Sequence, residues 1–586
     1  MKKFTPYILA LAALFIISQS IANASTLQED REYQPAVLTA QSLGSFQGLP
    51  VNQIYAYAYN AGNGTWSMIP FQIDEMTYGP NPLSGVGKEK WFYFTEVWAY
   101  IDSITTKTHN GVFDDHDELV FMVRDMGDRA PNNKSTWIDN EDSKKYSRLE
   151  IALYDSNLTT KRAYVYLYRS ATLSKNDIPR PYEMSFNEAT NTVSTKYYDL
   201  TFGNPGMVSG IAIKAPGGSG LDILDRLKLR ANVLWSTAFG VLPVMFVEES
   251  LYSDSLYYTK DPIVRFIRLF DFSFQSGSIK YKDHAFNVDT KFYPFNGTIR
   301  GGSELSTDSL SEIEPEPMDI KFMDLRYSWD YNVNASGMKF YNPYNNGLVV
   351  DGTPDNITTT IDRPADKTKR IPVWNMISGD QGTVFSYGKF SNTKFTTFKL
   401  YYWDNKNGGA ADQNIFVDLA KDTGDEVSYG DHGVLMQASI NDTLELLLNY
   451  TLYMLPEKNV DRAFAEQMAA NVATGIELAT PIVLGVNDNN QSLPTGFTLS
   501  QNYPNPFNNS TRITFELERA GDISLLVYDT AGRLVKTLAK DKFAAGLHDL
   551  HWNGTDNSGL EVPSGMYFYK LQAGQETIAK KLLLIR

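Results

Sequence analysis

Cysteine is absent from the 586 residues, which excludes disulfides, iron–sulfur clusters, thiolate zinc sites and cysteine nucleophiles together. Histidine is scarce, with only His109, His116, His284, His432, His548 and His551. None stands beside a Gly-x-Ser-x-Gly turn, so a serine-hydrolase triad has no local support. Also missing are His-Glu-x-x-His, Gly-x-x-x-x-Gly-Lys and a strand-following Gly-x-Gly-x-x-Gly. Positive charge is in short supply: 53 Lys and Arg face 68 Asp and Glu, a net of −15, which disfavours nucleic acid as a partner. Long apolar runs are lacking too. The best candidate, residues 233–247, is broken by Ser236, Thr237, Gly240 and Pro243, so no transmembrane segment is expected in the mature chain.

What is abundant is aromatic surface. Nine Trp, 35 Tyr and 32 Phe give far more apolar area than an unfolded chain carries. In Ile54-Tyr55-Ala56-Tyr57-Ala58-Tyr59 and Ala163-Tyr164-Val165-Tyr166-Leu167-Tyr168, tyrosines alternate with aliphatic residues, the period of a strand with two distinct faces. Residues 395–403 and 444–452 read the same way, between clusters of Gly, Asn, Asp and Pro. Only residues 460–473 have convincing helical composition, and residues 221–230 are a weaker helix candidate. The expected fold is mostly β: a large multi-stranded β-sandwich region over residues 25–486, divisible into subdomains, followed by a small immunoglobulin-like β-sandwich.

Residues 1–24 read as a secretory signal peptide: Lys2 and Lys3, an apolar core over 7–17, then Ala22-Asn23-Ala24 as the cleavage site. Residues 487–494 are polar and aperiodic, a linker by composition. The module at 495–586 has ten Lys or Arg against nine Asp or Glu, so the acidic excess belongs to what precedes it. Short strands at regular spacing are expected at 512–517, 522–528, 533–538, 547–552, 565–573 and 576–585.

This module opens on Gln501-Asn502-Tyr503-Pro504-Asn505-Pro506-Phe507-Asn508 and closes on Gly565-Met566-Tyr567-Phe568 and Lys580-Lys581-Leu582-Leu583-Leu584-Ile585-Arg586. The two prolines fix φ and hold the preceding residues extended, so Tyr503 and Phe507 can pin a rigid lead-in on the sandwich. The constellation closely resembles the type A carboxy-terminal sorting domain of the bacterial type IX secretion system. The middle, with Asp529-Thr530-Ala531-Gly532-Arg533 and Trp552-Asn553-Gly554-Thr555-Asp556, is similar to the immunoglobulin-like domain of the flagellar hook-capping protein. The sorting resemblance implies export, recognition of the folded module by an outer-membrane translocon, and a cell-surface or extracellular location.

In residues 25–486 the densest polar signal is Asn110-Gly111-Val112-Phe113-Asp114-Asp115-His116-Asp117-Glu118. Asn110, Asp114, Asp115, Asp117 and Glu118 are candidate calcium ligands, since calcium takes six to eight hard oxygens. An EF-type register fails, because Thr106 and Thr108 fall where Asp or Asn is wanted. A turn with solvated acids is the alternative. No other cofactor is expected. Glu248-Glu249, Tyr281-Lys282-Asp283-His284 and Tyr429-Gly430-Asp431-His432-Gly433 are candidate sites for polysaccharide chemistry, weighed against plain surface strand and turn residues. The tyrosine rows could stack on sugar rings, but cross-strand aromatic pairing accounts for them without any ligand. Three functions stay open for this region: noncatalytic recognition of carbohydrate or cell-envelope material, a polysaccharide lyase or hydrolase, and a structural adhesin.

Overall fold

The computed structural model describes residues 26–585 except 80–96, 101–109, 156–160, 204–205, 238–239, 247–250, 253–255, 277–278, 282–285, 307–312, 315–318, 392–394, 408–426, 440–442, 485–496, 500–501, 503, 509, 518–520, 531, 545 and 574–575. The expected signal peptide and the 487–494 linker lie outside the described residues. The chain divides into two units, one of residues 1–130 and 155–476, the other of residues 131–154 and 477–586. Both are mostly β.

In the first unit the two tyrosine rows become neighbouring strands, Ile54–Asn60 and Arg162–Arg169, antiparallel with Tyr55 opposite Tyr168 and Tyr57 opposite Tyr166. Trp66, on the adjoining strand Thr65–Met68, packs edge-on against Tyr166 at 5.0 Å and Tyr168 at 5.6 Å. Tyr55, Tyr59, Tyr166 and Tyr168 are buried. Their alternation therefore serves cross-strand aromatic packing.

Two larger antiparallel sheets follow. One has five strands in the order Gly240–Phe246, Leu224–Thr237, Asp319–Tyr331, Ser428–Ser439, Thr397–Asn405. The other, twelve-stranded among the described residues, contains Phe266–Ser276, Phe286–Phe292, Asn296–Ser306, Thr443–Leu455, Gly382–Phe390 and Ile371–Gly379 in that order. They pack face to face through aromatic residues: Tyr327 lies 5.2 Å from Tyr450, and Trp329 stacks on the same ring at 6.0 Å. The helix expected near 460–473 spans Arg462–Ala473, capped by Asp461, whose carboxylate accepts from the Ala463 and Phe464 amides.

Residues 221–230 are not a helix. Leu224–Thr237 is a strand, bonded along its length to Asp319–Tyr331 and near its end to Gly240–Phe246. Helix propensity over ten residues is worth little against a continuous row of interstrand bonds, and the alternation Leu227-Lys228-Leu229-Arg230 already has the strand period.

In the second unit, Phe497–Leu499, Thr511–Leu517 and Gly546–Trp552 form one sheet. Leu534–Phe543, Gly521–Asp529, Gly565–Ala573 and Glu576–Leu584 form another. Leu499, Ile513, Phe515, Leu525, Val527, Trp552, Tyr569 and Leu571 belong to the core they enclose. Five of the six strands expected here match to within one residue at each end. The strand expected at 533–538 runs on to Phe543.

Candidate functional site

Three places answer to the sequence signals. In the terminal module, the proline-rich lead-in is a strap on the last strand. The Asn505 side-chain oxygen accepts from the Leu583 amide at 2.8 Å. The Phe507 amide donates to Leu583 O at 3.0 Å, and Ile585 N donates back to Phe507 O at 2.8 Å. A short parallel bridge thus closes the edge of Glu576–Leu584. Asn502 fixes the strap's other end: its amide N–H donates to the Tyr569 hydroxyl at 2.8 Å, its Nδ2 to Pro504 O and to Thr511 Oγ1. The buried Phe507 ring meets Trp552 at 5.5 Å, and Tyr567 meets the same indole at 5.3 Å. Gly565 sits opposite Leu584. Gln501 and Tyr503 lie outside the described residues.

The last strand's two lysines face opposite ways. Lys580 pairs across to the buried Tyr569 and is itself half-buried, which lowers its pKa. Lys581 is exposed opposite Phe568. Its face carries Met566, Phe568, Leu583 and Ile585, all exposed, with Leu534 joined through Tyr528. This is an apolar patch with Lys581 exposed on it and Lys570 half-buried at its edge.

At the second place, residues 110–118, the carboxylates are engaged by the protein's own groups. Asp117 is buried, accepting from the Met76 amide at 2.7 Å and the Asp114 amide at 2.9 Å. Glu118 pairs with Arg265 at 2.7 Å. Asp114 accepts from Asn110 Nδ2 at 2.8 Å, and Asp115 accepts from Gln47. Among the described residues no group of three or more Asp, Glu or His is placed to hold a metal ion. The turn is held by side-chain bonds, and its two last acids are withdrawn from solvent.

The third place contains Asp431 and His432, which are not surface turn residues but are buried in the strand Ser428–Ser439. Asp431 belongs to a charged face of the five-stranded sheet. Lys228 lies 2.7 Å from Asp330 and 3.7 Å from Asp431, with all three side chains at 1 % exposure or less. Burial pulls the Lys228 pKa down, but the two carboxylates outweigh it and hold it above the ordinary lysine range. Ser428 Oγ donates to Asp330 at 2.7 Å, and Arg326 donates to the Tyr401 hydroxyl at 3.1 Å. Gly433 is required here, since a Cβ would come within 2.6 Å of the Ser328 Cα.

His432 points to the opposite face, stacked on Tyr331 at 5.3 Å and against Phe340 at 4.9 Å. Its Nδ1 is 3.1 Å from the Gly430 carbonyl, which only accepts, so Nδ1 carries the proton. Burial lowers its pKa to about 4 from 6.5. Between those values the unfolded chain takes up a proton that the native state refuses, so stability is lost as pH falls, by about 3 kcal/mol for this group. Asp117 acts oppositely: burial raises its pKa to about 6, and the native state gains as pH falls toward 3.8. Denaturant titrations of wild type and His432→Phe at pH 7 and pH 4 isolate the histidine. The stability difference should shift by about 3 kcal/mol in favour of the variant at pH 4. A pH-independent difference refutes the assignment.

Glu248-Glu249 and Lys282-Asp283-His284 lie outside the described residues. The sequence reading missed Lys228, Asp330 and Arg326. Their signal was present in two strands that alternate charged with apolar residues, Arg226-Leu227-Lys228-Leu229-Arg230 and Asp324-Leu325-Arg326-Tyr327-Ser328-Trp329-Asp330. Such alternation ordinarily marks a solvated face.

Residues 500–577 match the family model of the FlgD Ig-like domain, which agrees with the two-sheet module described above. No curated protein matches the chain at a significant level. Among solved structures, dimeric latent PorU from Porphyromonas gingivalis is 11 % identical, covering 72 % of this chain and 35 % of its own, with a TM-score of 0.15. PorZ of the same organism, described as an essential bacterial surface component of the type-IX secretion system, is 9 % identical over 69 % of this chain and 81 % of its own, with a TM-score of 0.13. The chain thus spans about a third of PorU's length. Superposition at such scores establishes no common fold, and the family resemblance rests on the terminal immunoglobulin-like module.

Proposed function

We propose that the chain is an exported protein addressed to the cell surface or the medium by its terminal module, which a type IX-type secretion translocon recognises in folded form. The observation that carries this reading is a division of labour. Asn502, Asn505 and Phe507 are consumed in strapping the last strand, while Met566, Phe568, Lys581, Leu583 and Ile585 stand exposed on one face of the strand pair they fasten. An apolar face edged by the cations Lys570 and Lys581 suits a protein partner. The test is localisation of the full chain in a bacterium with a type IX translocon. Phe568→Glu with Leu583→Glu should abolish surface delivery and leave the chain folded in the periplasm. Undiminished delivery overturns the reading.

For the large unit the reading is noncatalytic recognition of carbohydrate or cell-envelope material. Two features support the noncatalytic part. Asp330 and Asp431 converge on Lys228 with no exposed surface, whereas a glycosidase pair must flank an accessible bond. No motif of nucleophilic or metal catalysis occurs. With Tyr55, Tyr59, Tyr166 and Tyr168 buried, a glycan would be held outside those rings. Glycan-array binding by the full chain, with and without calcium, tests this and the 110–118 turn together. Saturable binding without turnover supports recognition, new reducing ends or unsaturated uronate establish an enzyme, and silence favours a structural adhesin.

A further inference from the structure

Lys228, Asp330 and Asp431 stand on three successive strands of the five-stranded sheet, Leu224–Thr237, Asp319–Tyr331 and Ser428–Ser439. In register, Lys228 lies opposite Ser328, and Ser328 lies opposite Gly433. Neither small residue bars the lysine stem, which brings Nζ to 2.7 Å from Asp330 Oδ2 and 3.7 Å from Asp431 Oδ2, two strands away. With all three side chains at 1 % exposure or less, no outside substrate reaches them. Whatever chemistry they have is with one another.

An amine held in contact with a carboxylate and away from water is poised for amide formation. Contact replaces a bimolecular encounter, and burial favours the neutral amine and acid over their charged forms. The two carboxylates are not equivalent. Asp330 presents Oδ2 to the amine while its Oδ1 accepts from the Ser428 hydroxyl at 2.7 Å. Ser428 is fixed in turn by the Asp431 amide, which donates to its Oγ at 3.1 Å. A donor on the oxygen away from the amine polarises the carboxyl carbon and can bear the charge of a tetrahedral intermediate. Asp431, farther from the amine, is within reach to carry a proton.

We infer that Lys228 and Asp330 join in an amide, an isopeptide cross-link between neighbouring strands that the chain forms on itself once folded. In the open chain the two acids hold the proton on Lys228, so the amine is freed by transfer inside the cluster and not to solvent. The ammonium passes one proton to Asp330 Oδ2, the freed amine attacks Asp330 Cγ, and Asp431 takes a second proton from the nitrogen and returns it to Oδ2. The Nζ–Cγ bond forms, the Cγ–Oδ2 bond breaks, and Oδ2 leaves as water with both protons. Nothing is oxidised or reduced, no further reactant enters, and Asp431 ends as the carboxylate it was. The bond closes a loop of about a hundred residues and does for a chain without cysteine what a disulfide would. Removing Lys228 leaves both acids without it, whether the bond has formed or not. The inference is independent of the sorting and recognition readings, and its failure would leave both untouched.

Mass spectrometry of the full chain, purified folded and denatured only for the measurement, tests it. The chain should be lighter by one water than its sequence after any signal-peptide cleavage, and proteolysis should release a branched peptide joining the Lys228 and Asp330 segments. Lys228→Met and Asp330→Ala should keep the water. Chain recovered unfolded from inclusion bodies should start at full mass and lose the water on refolding, about a hundredfold more slowly in Asp431→Asn. A folded wild type at full mass, Lys228 recovered in a linear peptide, or a branch to Asp431 in place of Asp330 overturns the inference. Equal rates in Asp431→Asn would take the proton-carrying step from Asp431. The wild-type masses and peptides decide the matter if the variants fail to fold.

Discussion

Trp552→Ala is expected to strip about 3–5 kcal/mol from the terminal module, a large share of what a domain of this size has at about 0.1 kcal/mol per residue. Trp552 is fully buried, and its Nε1 donates to Thr555 O at 2.9 Å. It is the common partner of Phe507, from the strap, and Tyr567, from the strand that carries the final pair. Truncation leaves a cavity where two elements meet that, among the described residues, are joined through this indole. The strap should loosen first, because Phe507 then keeps only its two backbone bonds to the last strand. Hydrogen exchange of the full chain reads this directly. Amides of Thr511–Leu517 and Gly565–Ala573 should lose protection by the stated amount, and Trp552→Phe should lose much less. Unchanged protection in Trp552→Ala would show that the strap and core are held by something else.

How much was legible follows from what is local. The tyrosine strands and the terminal module could be read because period-2 alternation and turn residues are properties of a few consecutive positions. Even the pairing of the two tyrosine rows was implicit, since Tyr57 and Tyr168 need a common face to meet at 5.6 Å. The strap was legible as a motif, and so was the pinning of its Phe507 on the sandwich, but its bonds to the last strand were not. Nothing in Asn505 alone says that its side chain bonds residue 583. The charged face was illegible for the same reason: Lys228, Asp330 and Asp431 lie about a hundred residues apart in succession, and alternation shows that a strand has two faces without showing what covers each. Residues 221–230 were misread because propensity is weak against tertiary pairing.

Lys228→Met should destabilise the large unit by about 3–5 kcal/mol, although methionine fits the stem's space and the lost ion pair itself adds little net stability. The reason is what stays behind. Asp330 and Asp431, both without exposed surface, would keep their charge 2.7 and 3.7 Å from where the ammonium stood. Arg230 and Arg326, which act on Lys228 by lowering its pKa, share this face and compensate the two acids only in part once the ammonium is gone. Two neighbouring buried carboxylates without their shared cation must take up a proton or drive the strands apart. Lys228→Met should therefore recover part of its loss as pH falls and proton uptake relieves the two acids, while wild type does not. The triple variant with Asp330→Asn and Asp431→Asn removes the stranded charge. It should regain part of the stability at neutral pH, since the shape is kept and the two carboxylates no longer lack their shared ammonium. Equilibrium urea unfolding followed by circular dichroism measures all three. A triple variant no more stable than Lys228→Met would mean that the network holds the sheet through its hydrogen bonds rather than through its charge balance.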